Sequence, residues 1–398
     1  MKRFLVIMPL NNEYKLLKER DLMAESLSYR AQIDEKRMNR LRQLEKELPL
    51  VCTDFFRSVA QTTSTLTRLA YAYDFRLFFQ YLTSENPLFA DVEPRLMKDT
   101  DLGKIKMRDI DGYQDYLTQY YVTDESNGDS RLVQNHELGI MRKLCSLRSL
   151  FEYLFKNGHI QANIATLVTL PKLHDKPILR LEPDEMQKLL DTVATGDGLT
   201  RRQQALLKFT RTRDTAMLLL FLGTGIRVSE CVGLNLEDVD LDAHAFLVTR
   251  KGGDQSILYF PDQVADALQA YLQQRQEIQP LEGHADALFL SLQKRRITQR
   301  AVQNLVKKYA QVAAPLKKRI SPHKLRSTFG TNLYQETGDI YLVADVLGHA
   351  DVNTTRKHYA AMTEAHKREA ARRVLLPETD KASGNGDTSH PSDDAGSE

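Results

Sequence analysis

Hydrophobic positions recur along most of this chain at helical spacing. Over 64–83, Leu66, Leu69, Ala70, Tyr73, Leu77 and Tyr81 fall on one stripe, and over 137–156 Ile140, Leu144, Leu147, Phe151 and Leu154 do the same. Apolar residues three and four apart predict amphipathic helices. The second stripe has Arg142, Lys143 and Arg148 opposite it and runs into Asn157-Gly158, a common helix stop. Between the two, Thr123–Arg131 is polar and reads as a flexible loop. Upstream, 13–48 is dense in Glu, Lys, Arg, Leu and Met and contains neither Gly nor Pro. It reads as a charged helix or helical pair, either an exposed extension or a solvated arm with no specific role.

Pro171–Glu182 holds two prolines and little periodicity, and is expected to be a linker. From Pro183 the pattern is helical again, with the apolar run Met217–Leu222 ending at Gly223. Ala245–Thr249 and Ser256–Phe260 flank Arg-Lys-Gly-Gly-Asp-Gln and predict a β-hairpin. A helix from about Thr298 would bury Ala301, Val302, Leu305 and Tyr309 and leave Arg300, Asn304, Lys308 and Gln311 on its other side. The fold class expected is mainly α with a small β hairpin or sheet insertion, in two domains. Its parts are a charged extension 1–50, a helical domain 51–170, a linker 171–182, a second domain 183–376 and a disordered acidic tail 377–398.

Composition changes this picture little; charge distribution changes it more. The 398 residues suffice for two or three domains, and 42% hydrophobic with 27% charged is ordinary for a globular chain. The formal charge of +2 names no partner, but Pro377–Glu398 carries six acids and one lysine, so the rest of the chain is at +7. Cys52, Cys145 and Cys231 form no C-x-x-C pair and no even set, which argues against a disulfide scaffold or a closed Cys-rich zinc site. The longest apolar runs, Phe4–Leu10 with Pro9 inside it and Met217–Leu222, are too short for a secretory or membrane-spanning segment. A soluble, cytosolic protein is expected.

From Leu290 to Arg326 there are eleven Lys or Arg, among them Lys294, Arg295, Arg296, Arg300, Lys307 and Lys308, and no acid. Such a run repels itself unless a polyanion meets it, and a phosphate backbone is the obvious candidate; a solvated basic face is the plainer alternative. Three further segments carry more chemistry. In Gly223-Thr-Gly-Ile-Arg-Val-Ser-Glu230, a buried helix and a glycine turn lead into Arg227, a rigid placement suited to bidentate phosphate recognition. In Ser321-Pro-His-Lys-Leu-Arg326, His323 and Arg326 share one helix face. In Leu347-Gly-His-Ala-Asp-Val-Asn-Thr-Thr-Arg-Lys-His-Tyr359, His349 stands ten residues before Tyr359. Taken singly, each residue has a bland reading as a surface Arg, a helix-capping His or one more tyrosine. His323, His349 and His358 as zinc ligands would need a Cys or carboxylate at metal spacing, and none is there, so no metal is expected.

In that order these segments resemble the catalytic domain of the tyrosine recombinases, the phage integrase family, and its Xer-type bacterial members in particular. The resemblance covers about 50–170 as a helical core-binding domain and 183–376 as the catalytic domain, which together would close on DNA as a clamp. It implies Arg227, Lys251 of the hairpin, His323, Arg326 and His349 as catalytic residues and Tyr359 as nucleophile. It also implies double-stranded DNA with a specific recombination site as substrate, a homotetramer on DNA, and no ATP, metal or other cofactor. The faces bearing Arg142 and Arg148 and the cluster Lys294–Lys308 are the expected DNA contacts. Met362–Leu376 is expected as a helix that docks on a neighbouring protomer. Several positions depart from the family pattern: Ser327 where a second His is common, Cys231 in place of Leu, a hairpin loop without its second Lys and Arg, and His358 at the spacing usual for the tyrosine. Two other readings use the same resemblance: a type IB-like topoisomerase, and a DNA-binding regulator without catalysis.

Overall fold

The computed structural model describes residues 29–123, 128–173, 179–250, 253–317, 319–348 and 352. Their buried side chains form two main cores. The first runs from Leu41 to Val168. It is built by α1 (Tyr29–Glu45), α2 (Leu50–Ser58), α3 (Thr65–Glu85), α4 (Asp99–Leu102), α5 (Met107–Tyr116) and α6 (Glu137–Lys156). An antiparallel hairpin, β1 (Gln119–Thr123) with β2 (Ser130–Gln134), joins α5 to α6, so part of the expected loop 123–131 is strand; residues 124–127 lie outside the described residues.

This core is aromatic. Phe55 meets Phe56, Phe75 and Tyr153 edge-on, while Phe75 stacks on Phe56 and Tyr71. Each fully buried ring contributes about 2–3 kcal/mol by area, with more from the edge geometry. The α6 stripe enters as expected, with Ile140, Leu144, Leu147, Phe151 and Leu154 all buried. The α3 stripe enters only in part, with Tyr81 buried and Leu69 and Leu77 packed against the core. Leu66 and Tyr73 are exposed, and Ala72, Phe75, Phe78, Phe79 and Leu82 face the core instead. The buried face of α3 also carries Asp74, whose charge is met by Arg142 and Ser146 from α6, and this polar residue hides the aromatic side in the sequence. The charged helix α1 is not simply an exposed arm either: Leu41 and Leu44 are buried in the first core, and Tyr29 at its other end packs on the second.

The second core begins at Leu181, whose N–H donates to Thr328 Oγ1 at 3.0 Å. Between it and Val168 lies most of the expected linker; residues 174–178, and the tail 377–398, fall outside the described residues. The core gathers α7 (Pro183–Thr195), α8 (Arg201–Thr224), α9 (Val228–Gly233), α10 (Asp262–Gln276), α11 (Gln299–Ala313) and α12 (Pro322–Thr337). Beside them runs an antiparallel sheet, β3 (Val239–Asp240), β4 (Ala245–Thr249) and β5 (Gln255–Tyr259). β5 starts one residue before the hairpin strand read from the sequence. On β4, Phe246 and Val248 face inward and Leu247 and Thr249 outward, the period-two pattern of a half-buried strand. In α11, Thr298 caps the helix and Val302, Leu305 and Tyr309 are buried as expected. A short helix, α13 (Ile340–Leu347), packs Val343 and Leu347 with Tyr334 of α12 into a small satellite cluster.

Candidate active site

The second half of α8 is wholly buried at Ala216, Met217, Leu218, Leu220 and Phe221, and delivers the chain to Gly225. Gly225 ends the helix at φ 61°. A Cβ there would come within 2.4 Å of Phe329 and 2.9 Å of Leu347, so only glycine lets this turn lie against α12 and α13. Two residues on, Arg227 caps α9. Its N–H donates to Glu230 Oε2 at 2.9 Å, its Nη1 to Glu230 Oε1 at 2.8 Å, and its Nη2 to the Gly348 carbonyl at 2.7 Å. A carboxylate three residues after the cap is the capping-box spacing, and here it also aims the guanidinium. Glu230 is buried; the Arg227 side chain remains 29% exposed.

Arg326, buried one helical turn into α12, donates to the carbonyls of Gly225 and Leu347. Arg250, immediately after β4, shares the Leu347 carbonyl: its Nη1 donates there at 3.4 Å and its Nη2 to the Val346 carbonyl at 2.9 Å, with Glu230 Oε2 3.8 Å away. The last carbonyls of a helix carry partial negative charge, which lets three guanidiniums converge there. Burial pulls the Arg250 guanidinium below its ordinary range; Glu230 opposes this and Arg227 adds to it. Glu230 thus faces Arg227 and Arg250, Arg326 reaches the same helix end, and Asp345 is exposed at the edge. Arg227 and Arg326 so placed are suited to a phosphodiester and to the added charge of a five-coordinate phosphorus.

His323 is exposed in the first turn of α12, one turn before Arg326. Lys251, His349, His358 and Tyr359 lie outside the described residues, although Arg250 and Gly348, the direct neighbours of Lys251 and His349, belong to the arginine cluster. Cys231 beside Glu230 is buried, and burial pushes its thiol well above the usual range, so it is no nucleophile. Among the described residues no three His, Cys, Asp or Glu side chains are grouped to hold a metal.

The model of the phage integrase family matches residues 179–366. A tyrosine recombinase XerC from Caldanaerobacter subterraneus subsp. tengcongensis is 33% identical over 329 residues, covering 80% of this chain and 84% of that protein. The chain belongs to the tyrosine recombinase family. A second XerC, from Chlorobaculum tepidum, is 30% identical over 339 residues, 80% of this chain and 93% of its own. Solved tyrosine recombinases share the fold. The XerH site-specific recombinase bound to its palindromic difH substrate has a TM-score of 0.55 at 21% identity, covering 84% of each chain. The Tn1549 transposon integrase in complex with circular intermediate DNA has a TM-score of 0.56 at 20% identity, covering 81% of this chain and 99% of that one. This tyrosine recombinase is therefore mainly helical with small antiparallel sheets, as expected, and is an enzyme of site-specific DNA recombination.

The cations expected on DNA divide in two. Lys294, Arg295, Arg300 and Lys307 are exposed. The other four serve the recombinase's own fold. Arg296 is buried and donates to the carbonyls of Val232 and Leu234 and to Asn235 Oδ1. Arg148 donates to the carbonyls of Ala165, Thr166 and Val168. Lys308 lies 3.2 Å from buried Asp214, and Arg142 grips Asp74 with both Nη atoms. Arg296 and Arg148 thus spend guanidinium donors on backbone carbonyls of the chain itself. Sequence reasoning also passed over Glu230 and Arg250. The Arg227-x-x-Glu230 spacing was the available signal for the first. Arg250 had none, because its partners lie 96 and 97 residues further on.

No helix among the described residues is long and apolar enough to cross a membrane.

Proposed function

We propose that this recombinase cuts and rejoins double-stranded DNA at a specific site through a 3′-phosphotyrosyl bond, working as a homotetramer in the bacterial cytoplasm. One observation carries the reading. Arg227 and Arg326 converge on the adjacent carbonyls of Gly348 and Leu347, directly before His349. Tyr359 oxygen attacks the phosphorus as the P–O5′ bond breaks, and the two guanidiniums offset the charge that grows on the non-bridging oxygens. A phenol with an ordinary pKa of about 10 is a weak nucleophile at neutral pH and needs this help. Lys251 gives a proton to the departing 5′-oxygen, while His323 and His349 accept the phenol proton or hydrogen-bond the phosphate. The covalent link conserves the phosphodiester energy, so attack by the 5′-hydroxyl of a second duplex completes the exchange without ATP. The likeness to XerC proteins over four-fifths of the chain supports resolution of chromosome dimers over integration of a mobile element.

The test uses a nicked duplex chosen by the protein itself from a random-sequence pool, incubated in EDTA and run on a denaturing gel. A covalent protein–DNA adduct is expected for the parent and is absent for Tyr359→Phe. Specific binding without an adduct would make the protein a regulator. An adduct that religates but never exchanges strands with a second duplex would make it a topoisomerase.

A further inference from the structure

The loop between β4 and β5 is tied at its base. Arg250 N–H donates to the Asp254 carbonyl at 2.7 Å, and Gly253 N–H returns to the Arg250 carbonyl at 3.2 Å. That carbonyl also accepts from Arg30 Nη1 of α1 at 3.2 Å. The Arg250 side chain is 8% exposed and leads away from the hairpin to the end of α13. There the fit is close on both sides. Gly348 stands at φ 58°, and a Cβ on it would lie 2.9 Å from Arg250 Cζ, so the guanidinium rests directly on the Gly348 backbone. Among the described residues Arg250 Nε is buried without a partner, so its two Nη atoms carry the polar contacts of the guanidinium. A lysine could not reproduce this contact, since one ammonium cannot span two carbonyls and a carboxylate as a planar fork does.

We propose that Arg250 is a positioning residue for leaving-group protonation: it locks the base of the hairpin that carries Lys251 to the end of α13, in register with Arg227 and Arg326. Glu230 completes the coupling. Its Oε1 holds Arg227 and its Oε2 faces Arg250, so the phosphate clamp and the hairpin share one carboxylate. The inference rests on Lys251 being the proton donor proposed above. In that step the Tyr359 O–P bond forms, the P–O5′ bond breaks, and the Lys251 ammonium passes one proton to O5′, leaving a neutral amine and a 5′-hydroxyl.

Sulfur in place of the bridging 5′-oxygen removes the need for that proton, because a thiol ionises near pKa ~8.5 where an alcohol does not. Cleavage rates of Arg250→Gln and Arg250→Lys are therefore measured on nicked duplexes with oxygen or sulfur at this position, beside Lys251→Ala. General-acid assistance is commonly worth about 10²–10⁴-fold, so both Arg250 variants should cleave the oxygen substrate at least ~10-fold more slowly while staying within ~3-fold of the parent on sulfur. The oxygen-to-sulfur ratio within one preparation cancels the folded fraction, so a destabilised variant still answers. Equal slowing on both substrates, or slowing on neither, overturns the role of Arg250. If Lys251→Ala is not rescued by sulfur, the assignment of Lys251 itself fails, and the proposal with it.

Discussion

Each half of the molecule buries a carboxylate against arginine, and the two clusters tie their arginines to different partners. In the helical core Asp74 accepts from Arg142 at 2.6 and 2.8 Å and from Ser146 at 2.7 Å, and Lys143 stands close enough to interact with the same carboxylate. In the second unit Glu230 faces both Arg227 and Arg250, Arg326 meets the same stretch of backbone, and exposed Asp345 stands at the rim. The first cluster is a side-chain brace between α3 and α6. The second sets three guanidiniums against helix-end carbonyls, which carry only partial charges, and among the described residues this surplus of positive charge is suited to an anion. What the guanidiniums are tied to, a full carboxylate or helix-end carbonyls with partial charge, separates the two clusters better than the number of arginines does.

The sharpest break of this comparison is Arg326→Ala. It removes a guanidinium from the surplus cluster, and loss of one preorganised donor to a developing oxyanion costs about 10²–10³ in rate. Adduct formation on a nicked duplex should fall by that factor, with binding of a single DNA site within a few-fold of the parent in a gel-shift titration. A fall in binding as large as the fall in rate would mean that Arg326 holds the fold or the DNA rather than the transition state. A matched pair of neutralisations comes next. Asp74→Asn removes a buried acceptor of charge-assisted hydrogen bonds, and about 2 kcal/mol of stability should go with it in urea unfolding. The adduct rate per folded molecule should not change. Glu230→Gln keeps the side-chain length but frees Arg227 and Arg250 from their shared anchor, so it should slow adduct formation about 10-fold, the equivalent of 1.4 kcal/mol. Identical behaviour of the two variants would erase the distinction between brace and site.

What could be read in the sequence follows the same division. The α6 stripe was legible because Arg142, Lys143 and Arg148 mark its polar side, whereas α3 puts Asp74 on its buried face and Leu66 and Tyr73 outside. Arg227 and Arg326 were found because local punctuation, a glycine turn and an x-Pro-His helix start, frames them. Counting cations over 290–326 could not tell Arg295 from Arg296, because consumption by the carbonyls of Val232 and Leu234 depends on chain segments about sixty residues away. Arg250 was hidden for the same reason, since its partners are backbone atoms that no spacing rule announces.

The smallest effect tests where α1, a member of the first core, meets the second unit. His284 is partly buried, and its pKa is lowered first by that burial and then by Arg296, Arg295 and Lys36, the last of which belongs to α1. Above the unfolded value of about 6.5 both states are neutral and the group has no effect. As pH falls below that, the unfolded chain takes the proton first and the folded state resists it, so stability declines until the folded pKa is passed. Urea unfolding of the full chain between pH 7.5 and 5.5 should therefore show a shallower acid-side loss for His284→Gln than for the parent. Lys36→Ala should act in the same direction and more weakly, because it removes only one of the three cations that oppose protonation. Identical pH slopes for His284→Gln and the parent would sink the idea that this histidine senses the contact.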